Sequence, residues 1–152
     1  LTNLAKHHPG VQILAKQGIA NANDGEVVAS ALITQHPDIQ AIYAPWDSIA
    51  ERVVAANRAA GRSDIKVLTM DLGAANALDM AKGRNVAGIV TDLPYDLGQT
   101  LATMGALAKL GEQTPPFVTV SADAVTRDNL ADAWLQALRR DPPAAVTEAL
   151  SQ

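Results

Sequence analysis

Cysteine is absent from the chain, so neither a disulfide framework nor a thiolate metal site can form from its own residues. Aromatic residues make up only 3% of the 152 residues, and charged residues 18%. No apolar run approaches the roughly 20 residues that cross a bilayer as a helix. The formal net charge of −4 argues against nucleic acid as a partner, because such binding relies on a positive surface. The hydrophobic fraction of 48% is that of an ordinary globular domain.

Common catalytic and cofactor-binding motifs are missing as well. The sequence contains no Gly-x-Gly-x-x-Gly, no P-loop and no Gly-x-Ser-x-Gly elbow. His7 and His8 are adjacent and point different ways, and His36 precedes a proline at a helix end, so the histidines do not form a metal set. No nucleophile is paired with a base. We therefore expect no enzymatic activity, no metal and no cofactor.

Three apolar runs that each end on an aspartate dominate the pattern. They stop at Asp47, Asp71 and Asp92, and each interval fits one strand, one helix and two loops. In a parallel sheet the carboxyl ends of the strands share one edge, and open α/β sheets bind small ligands there. Carboxylates and one tryptophan at that edge suit a neutral polyhydroxylated ligand or a cation, and suit a phosphate poorly.

Hydrophobic periodicity predicts strands that alternate with helices. This pattern indicates an α/β fold with a parallel, Rossmann-like sheet and helices on both faces. We expect the segment after Pro142 and Pro143 to be loosely held. The predicted strands are residues 11–15, 41–44, 65–70, 86–90 and 117–120, and the predicted helices are residues 26–35, 48–60, 74–82, 95–110 and 129–139.

The chain begins at Leu1 without a methionine, and residues 1–9 are typical of the last turns of a helix. We expect a piece of a longer protein. A complete small protein after processing is the alternative.

Three stretches carry a resemblance to a known family. The first is His-Pro-Asp-Ile-Gln-Ala-Ile-Tyr-Ala at residues 36–44, followed by Asp47 and a helix that ends in Ala-Ala-Gly. The second is Arg-Ser-Asp-Ile-Lys-Val at 62–67, leading to Met-Asp at 70–71, and the third is Ala-Gly-Ile-Val-Thr-Asp-Leu-Pro-Tyr-Asp-Leu-Gly at 87–98. Together they make residues 11–129 resemble the second half of bacterial sugar-binding proteins of the ribose-binding type, the extracytoplasmic receptors of ABC importers.

That resemblance implies a protein of two α/β lobes that are joined by three crossover segments and close on the ligand. Residues 1–91 would form the core of the carboxyl-terminal lobe without its first strand. Residues 92–120 would return to the amino-terminal lobe, and residues 121–152 would come back and end in a helix and a tail. The implied function is to bind a sugar or polyol and deliver it to a membrane permease. The implied location is periplasmic or extracellular, soluble or lipid-anchored.

The ligand contacts of that family transfer to individual positions of this chain. Asp71 matches a strand-end aspartate that accepts hydrogen bonds from sugar hydroxyls. Asp92 matches a hinge position where the ribose binders carry glutamine, and Trp46 a position where they commonly carry asparagine. Ala20 lies where an aromatic residue often provides a stacking surface.

Each aspartate also has a purely structural interpretation, because aspartate is a favoured helix N-cap. For Asp47 we expect the capping role, since Ser48 begins a helix directly. For Asp71 we expect ligand contact, because Leu-Gly separates it from the next helix. For Asp92 both roles stay open. Its two oxygens can accept charge-assisted hydrogen bonds from adjacent hydroxyls, and Pro94 places it near a helix N-terminus.

Trp46 and three further residues complete the candidates. Trp46 follows a proline at a strand end, where core packing is least expected, so we predict that it contacts the ligand. Tyr95 is placed similarly but could instead face the other lobe. Asn21 could reach the mouth of the pocket, although loop asparagines commonly serve turns. Trp134, on a terminal helix, is predicted to be a packing anchor.

Two other functions stay open at this point. The effector domain of a LacI-type, sugar-responsive transcription regulator shares the fold, but such regulators usually carry Val-Pro before the strand that leads to the central aspartate. This chain has Gly-Arg-Ser-Asp-Ile at residues 61–65. A small α/β enzyme would need a third group to orient the acids near Trp46, and none is visible.

The helix predicted at residues 95–110 carries an apolar stripe that the expected topology leaves without a partner. Soluble monomers rarely expose such a patch. The stripe could fold back onto its own sheet, but we expect it to be covered by the missing amino-terminal lobe as a separate polypeptide or by a second copy of the chain. The stripe consists of Leu97, Leu101, Met104, Leu107 and Ala108.

Overall fold

A computed structural model describes residues 2–152. Within them, helices and strands alternate from α2 to α6, with one further helix at each end. The helices are α1 (Thr2–His7), α2 (Gly25–Gln35), α3 (Asp47–Ala59), α4 (Ala74–Ala81), α5 (Pro94–Lys109), α6 (Leu130–Leu138) and α7 (Ala144–Leu150). The strands are β1 (Ala41–Ala44), β2 (Lys66–Met70), β3 (Val86–Asp92) and β4 (Ala122–Val125). Short 3-10 turns at Ala22–Asp24 and Arg127–Asn129 precede α2 and α6.

The strands form one sheet in the order β1-β2-β3-β4. β1, β2 and β3 are parallel, and their register aligns Ala44 with Thr69 and Met70 with Val90. Two helical crossovers, α3 and α4, connect them. Because such crossovers are right-handed and the strand order advances in one direction, both helices lie on the same face of the sheet. The predicted α/β class is confirmed.

Helix α3 shows how the local sequence builds these units. Apolar residues at helical spacing form its buried stripe, which packs on β1 and β2. The helix ends just before Gly61, whose φ of +67° lies in the left-handed region that glycine adopts without a side-chain clash. Helix α4 ends in the same way before Gly83, with a φ of +64°. The predicted ends of both helices are therefore confirmed.

The fourth strand corrects two expectations. It runs antiparallel to β3, so the sheet is mixed and not wholly parallel. It also begins at Ala122, whereas the apolar run at residues 117–120 was predicted as the strand. The later segment is the one that pairs with β3, where Asp92 lies opposite Ala122 and Ile89 lies opposite Val125. Phe117, at 78% exposure, lies outside the sheet.

Residues 11–15 do not form the predicted strand, and this expectation is also wrong for the structure. β1 occupies one edge of the sheet, and no described residue pairs with its free side. An extended segment becomes a strand only when a neighbour satisfies its backbone groups. Leu14 nevertheless packs against the core with its side chain half-buried.

The two faces of the sheet differ in burial. Alternate strand residues point to opposite faces, and those on the helix-covered face, such as Ile42, Val67 and Ile89, are buried. Those on the other face are apolar but exposed. Helices were expected on both faces of the sheet, but within the described residues they cover only one. The exposed set is Tyr43, Leu68, Met70 and Val90.

The carboxyl-terminal segment is packed and not loosely held, which corrects the expectation for the residues after Pro143. Helix α7 packs on α4 and buries Val146 and Ala149. Arg127 ties both helices together, because its guanidinium donates to the backbone oxygens of Ala81 at 2.9 Å and Ala149 at 3.4 Å. The predicted role of Trp134 as a packing anchor is confirmed, since it is buried in the core on α6.

Helix α5 differs from the other long helices, because it has no buried residue. Its packing partner is α6 and not the sheet, so the helix does not fold back onto its own strands. Leu97, Leu101 and Leu110 are all exposed. Of the predicted stripe, Leu97 and Leu101 are thus exposed, whereas Met104 and Leu107 are half-buried.

Candidate functional site

Three loops meet at the edge of the sheet where β1, β2 and β3 end. They carry Trp46 after β1, Asp71 directly after β2, and Asp92 as the last residue of β3. Neighbouring strands lie about 4.8 Å apart, so the parallel register brings these three positions together. The structure therefore gathers three of the five residues that the sequence singled out for ligand contact. Whether they touch a ligand stays a prediction.

Asp71 occupies an unusual backbone conformation. Its φ is +68°, in the left-handed region that residues other than glycine seldom adopt, although aspartate and asparagine do so more readily than most. Its N–H donates to the oxygen of Val90 at 3.0 Å, and its oxygen accepts from the N–H of Gly73 at 3.1 Å. Such conformations persist only where the surroundings hold them, and they cluster at functional sites.

The electrostatic environment of Asp71 is unfavourable for its charge. Partial burial raises the pKa of this carboxyl above its ordinary range, and the neighbouring carboxylates of Asp92 and Asp47 raise it further. Among the described residues its oxygens accept no hydrogen bond, and none of the arginine–carboxylate pairs found there involves these three aspartates. The edge is therefore a cluster of unneutralised acceptors.

Asp47 contributes to the cluster but also has a structural role. The expectation that Asp47 caps α3 is wrong, because the N-cap is Trp46 and Asp47 is the first residue of the helix. Its carboxylate accepts the N–H of Ser48 at 2.6 Å, which suits the positive N-terminal end of the helix. The carboxylate also leaves no room beside Gly73, where a Cβ would lie 2.9 Å from its Oδ2.

Asn76 is a site-supporting residue that the sequence did not reveal. It is buried in the first turns of α4, and its side-chain amide donates to the backbone oxygen of Asp47 at 3.0 Å. This bond joins the loops that follow β1 and β2. An asparagine inside an otherwise alanine-rich helix was the available signal, because a buried amide needs a partner.

Asp92 is exposed at the end of β3, and its capping role finds no support in the structure. The N-cap of α5 is Leu93, and no side chain caps that helix end. The backbone oxygen of Asp92 accepts the hydroxyl of the buried Thr91 at 2.7 Å. Thr69 repeats this arrangement at the end of β2, where its hydroxyl donates to the oxygen of Met70 at 3.1 Å. Buried threonines thus fix both strand ends, and the carboxylate of Asp92 is left available.

The aromatic candidates lie on either side of these acids in the chain. Trp46 is 55% exposed at the start of α3, so one flat apolar surface is open to solvent. Tyr95 is 52% exposed in the first turn of α5, and the guanidinium of Arg139 lies 5.3 Å from its ring centre. Exposed aromatic rings of this kind provide stacking surfaces for the apolar faces of a ligand.

Asn21 has a local structural role. Its Oδ1 accepts the N–H of Asn23 at 2.9 Å and thereby caps the 3-10 turn before α2. The structural alternative raised for this residue is thus realised, and its contact with a ligand stays a prediction.

A cleft of about 450 Å³ adjoins the loop that follows Asp71. One wall is that loop, and the other comes from α6 and the turn between α6 and α7. No sequence pattern indicated that the carboxyl-terminal turn lies beside the site. The lining residues are Leu72, Gly73, Ala74, Trp134, Arg140, Asp141 and Pro143.

The part of the chain that the structure describes forms neither a metal centre nor a membrane-spanning helix. There, no three histidine or acidic side chains are arranged to hold a metal ion. In the same residues, no helix has the length and apolar character needed to cross a membrane.

Comparison with known proteins gives a family match over most of the chain. Residues 2–113 match the model of a family described as periplasmic binding protein domain. A D-ribose/D-allose-binding protein of Pseudomonas aeruginosa is 42% identical over 64 residues, which are 41% of this chain and 20% of that protein. The ribose import binding protein of Salmonella typhimurium is 32% identical over 71 residues, which are 47% of this chain and 24% of the relative.

Solved structures extend the similarity to nearly the whole fold. A carbohydrate transporter solute-binding protein from Agrobacterium radiobacter, in complex with D-arabinose, matches with a TM-score of 0.78 and 27% identity over 91% of this chain. A 5-methylthioribose transporter solute-binding protein from Thermotoga lettingae matches 99% of the chain with a TM-score of 0.77 and 24% identity, which supports the fold alone. Each match covers 48% of the solved chain, so this chain spans about half the length of these neighbours.

Proposed function

Because the chain belongs to the periplasmic binding protein domain family, we propose that it forms one lobe of a solute-binding protein that binds a sugar or polyol. The observation that carries this proposal is the gathering of Asp71, Asp92 and Trp46 at the carboxyl edge of one sheet. Two relatives are named for ribose and one neighbour was solved with D-arabinose. Binding at this edge needs no covalent step.

The chemistry of the site suits vicinal hydroxyl groups. An ionised carboxylate accepts two hydrogen bonds, and each is roughly twice as strong as a bond between neutral groups. The carboxylate of Asp71 has no hydrogen-bond partner among the described residues, so its acceptor capacity is free for a ligand. The exposed ring of Trp46 would cover the apolar C–H face of a sugar ring.

The charge of the site sets a limit on the ligand. Three neighbouring carboxylates make this edge negative. Partial burial is the main cause of the raised pKa of Asp71, and the carboxylates of Asp92 and Asp47 add to it. A sugar phosphate or sugar acid would add a further negative charge to this edge and be disfavoured. A neutral polyol, or one that carries an amine, would be accepted.

The rest of the binding protein would lie against α5. This helix leaves the sheet just after Asp92 and exposes an apolar stripe. We place the amino-terminal lobe, or a second copy of the chain, on that stripe. Closure of two lobes around the ligand would then present the surface that docks on the membrane permease of an ABC importer, in the periplasm or outside the cell.

A ligand panel tests the proposal on the complete protein that carries this chain. The panel contains D-ribose, D-allose, D-arabinose, a polyol such as allitol, and ribose 5-phosphate as the charged control. A neutral ligand at 100 times its Kd should raise the melting temperature by several degrees, since it stabilises the native state by about 2.7 kcal/mol. Calorimetry then supplies the Kd. A panel without any stabilising sugar or polyol, or a preference for the phosphate, would contradict the proposal.

A further inference from the structure

The turn between α6 and α7, residues 139–143, contacts both sides of the candidate site. At one end, Arg139 contacts the first turn of α5, which follows Asp92 directly. At the other end, Arg140 and Asp141 line the cleft beside the loop that follows Asp71. This turn lies beyond residues 2–113, which match the family model. The family match therefore does not bear on the contribution of this turn.

Arg139 makes two contacts with α5 from a strained backbone position. It ends α6 with φ and ψ of 53° and 35°, a left-handed conformation that is unfavourable for a side chain as large as arginine. Its Nη2 donates to Oδ1 of Asp96 at 3.1 Å, and its guanidinium lies over the ring of Tyr95 at 5.3 Å from the centre. Arginine suits both contacts, because its planar group pairs with carboxylates and stacks on aromatic rings.

Beyond its buried N-cap residue, Leu93, few contacts hold the start of α5. The helix buries no residue and packs on α6 alone among its larger contacts. The orientation of Tyr95, whose ring is half exposed, therefore depends on the guanidinium above it. Asp96 fixes the direction of the first turn in the same way.

We propose that Arg139 is a positioning residue for the ligand site, acting through Tyr95 and Asp96 on the start of α5. This inference rests on the proposed function, because it assigns Tyr95 to the ligand side of the site. Arg139 does not touch the ligand. It holds the ring of Tyr95 beside the strand end that carries Asp92.

A double-mutant cycle on sugar affinity tests this assignment in the complete protein. The variants are Arg139→Ala, Tyr95→Ala and the double variant, with Arg84→Ala as the matched control at the opposite edge of the sheet. Alanine leaves the backbone strain at residue 139 in place and removes only the side-chain contacts. Exposed ion pairs and cation–π contacts are individually weak, so Arg139→Ala should weaken sugar binding about three- to tenfold. Arg84→Ala should leave the Kd unchanged.

The coupling energy between Arg139 and Tyr95 shows whether Arg139 positions Tyr95 or has only a general structural role. If Arg139 acts through Tyr95, its replacement should have little further effect once Tyr95 is alanine. Arg139→Lys retains the charge and should recover part of the affinity, and it replaces Arg139→Ala in the cycle if that variant does not fold. An unchanged Kd for Arg139→Ala, or the same loss in both backgrounds, would overturn the proposal. Absence of any sugar binding by the unaltered protein would remove the proposed function, and this inference with it.

Discussion

The two edges of the sheet differ in how their polar side chains are paired. At the amino-terminal edge, two buried polar side chains are well paired: Asp79 accepts from Arg58 and from the N–H of Val86, and Asn85 donates to two backbone oxygens. The buried Asn57 donates to the oxygen of Ile65, while its own Oδ1 has no partner among the described residues. At the carboxyl-terminal edge, like charges lie together, and Asp71 is both left-handed and without a hydrogen-bond partner among the described residues. The first arrangement stabilises the fold. The second leaves carboxylate acceptors free of protein partners, which fits the proposed ligand site.

The contrast extends to the arginines. Arg62 donates to the backbone oxygens of Pro37 and Ile39 and pairs with Asp64, so it closes the amino-terminal edge around β1 and β2. At the other edge, Arg139 contacts an exposed helix. Arginine thus has two roles: Arg62 supports the core at one edge, and Arg139 supports a half-exposed site at the other.

Among the variants that test this comparison of the two edges, Asp79→Ala should have the largest effect, and the effect is on stability. This carboxylate is 3% exposed, and its removal leaves the buried N–H of Val86 without an acceptor. We expect a loss of about 3 kcal/mol in the free energy of unfolding, measured by urea titration. Asp64→Ala, which removes an exposed carboxylate from its arginine, is the matched control and should change the midpoint far less. Equal effects of the two variants would mean that the amino-terminal edge does not carry stability in this way.

Asp71→Gly should separate binding from stability at the other edge. Glycine adopts a positive φ without strain, and the substitution removes the repelled carboxylate. We expect sugar affinity to fall on the order of 100-fold, which corresponds to about 2.7 kcal/mol. The urea midpoint of the unliganded protein should not fall. Asp38→Gly, before β1 and at the opposite edge, should leave affinity unchanged, and normal affinity of the Asp71 variant would contradict its assignment.

A smaller effect is expected for Gly73→Ala. The added methyl group would lie 2.9 Å from Oδ2 of Asp47, which is held by its bond to Ser48. We expect a destabilisation of about 1 kcal/mol or less, because a side chain and not backbone must move. The penalty should disappear in an Asp47→Ala background. A penalty that persists there would place the cause elsewhere in the loop.

The smallest effect concerns the pH dependence of stability. The pKa of Asp71 is raised in the folded protein, so the folded state binds this proton more tightly than the unfolded state does. Stability from this group is therefore present below its unfolded pKa of about 4 and is lost as pH rises through the raised folded value. The difference in unfolding free energy between Asp71→Asn and the unaltered protein should grow in favour of the variant over this window. A constant difference across the window would contradict the raised pKa.

Much of the central fold follows from local pattern. The strands β1 to β3 and the helices α2 to α5 were predicted within a few residues, because apolar spacing and the glycines at 61 and 83 are local signals. The gathering of Trp46, Asp71 and Asp92 then follows from parallel topology. Their contact with a ligand stays a prediction.

The two wrong strand predictions have a different cause. Residues 11–15 and 117–120 have the composition of strands, but strand formation depends on a partner that is distant in the chain. β4 formed five residues later than expected, where it could align with β3. Helix α7 was missed because prolines at 142 and 143 suggested a loop, although Pro143 forms the N-cap of the helix.

Two features of the site could not have been predicted from local sequence. Asn76 reaches a residue 29 positions away, and Arg139 reaches one 43 positions away. Neither of these long-range contacts produces a periodic pattern in the sequence. The left-handed backbone of Asp71 likewise depends on its bonds to the neighbouring strand and the following loop.

The antiparallel pairing of β3 with β4 has a consequence for how the molecule could be rebuilt. Asp92 and Ala122 are opposite each other in the ladder, so the chain leaves the sheet and re-enters it at adjacent points. The intervening segment, with α5, buries none of its helix in the lobe. A two-residue turn such as Asn-Gly would join the same strand ends as a tight hairpin. The molecule is thus modular at this point, because the segment that carries α5 is inserted between two strand ends that already pair with each other.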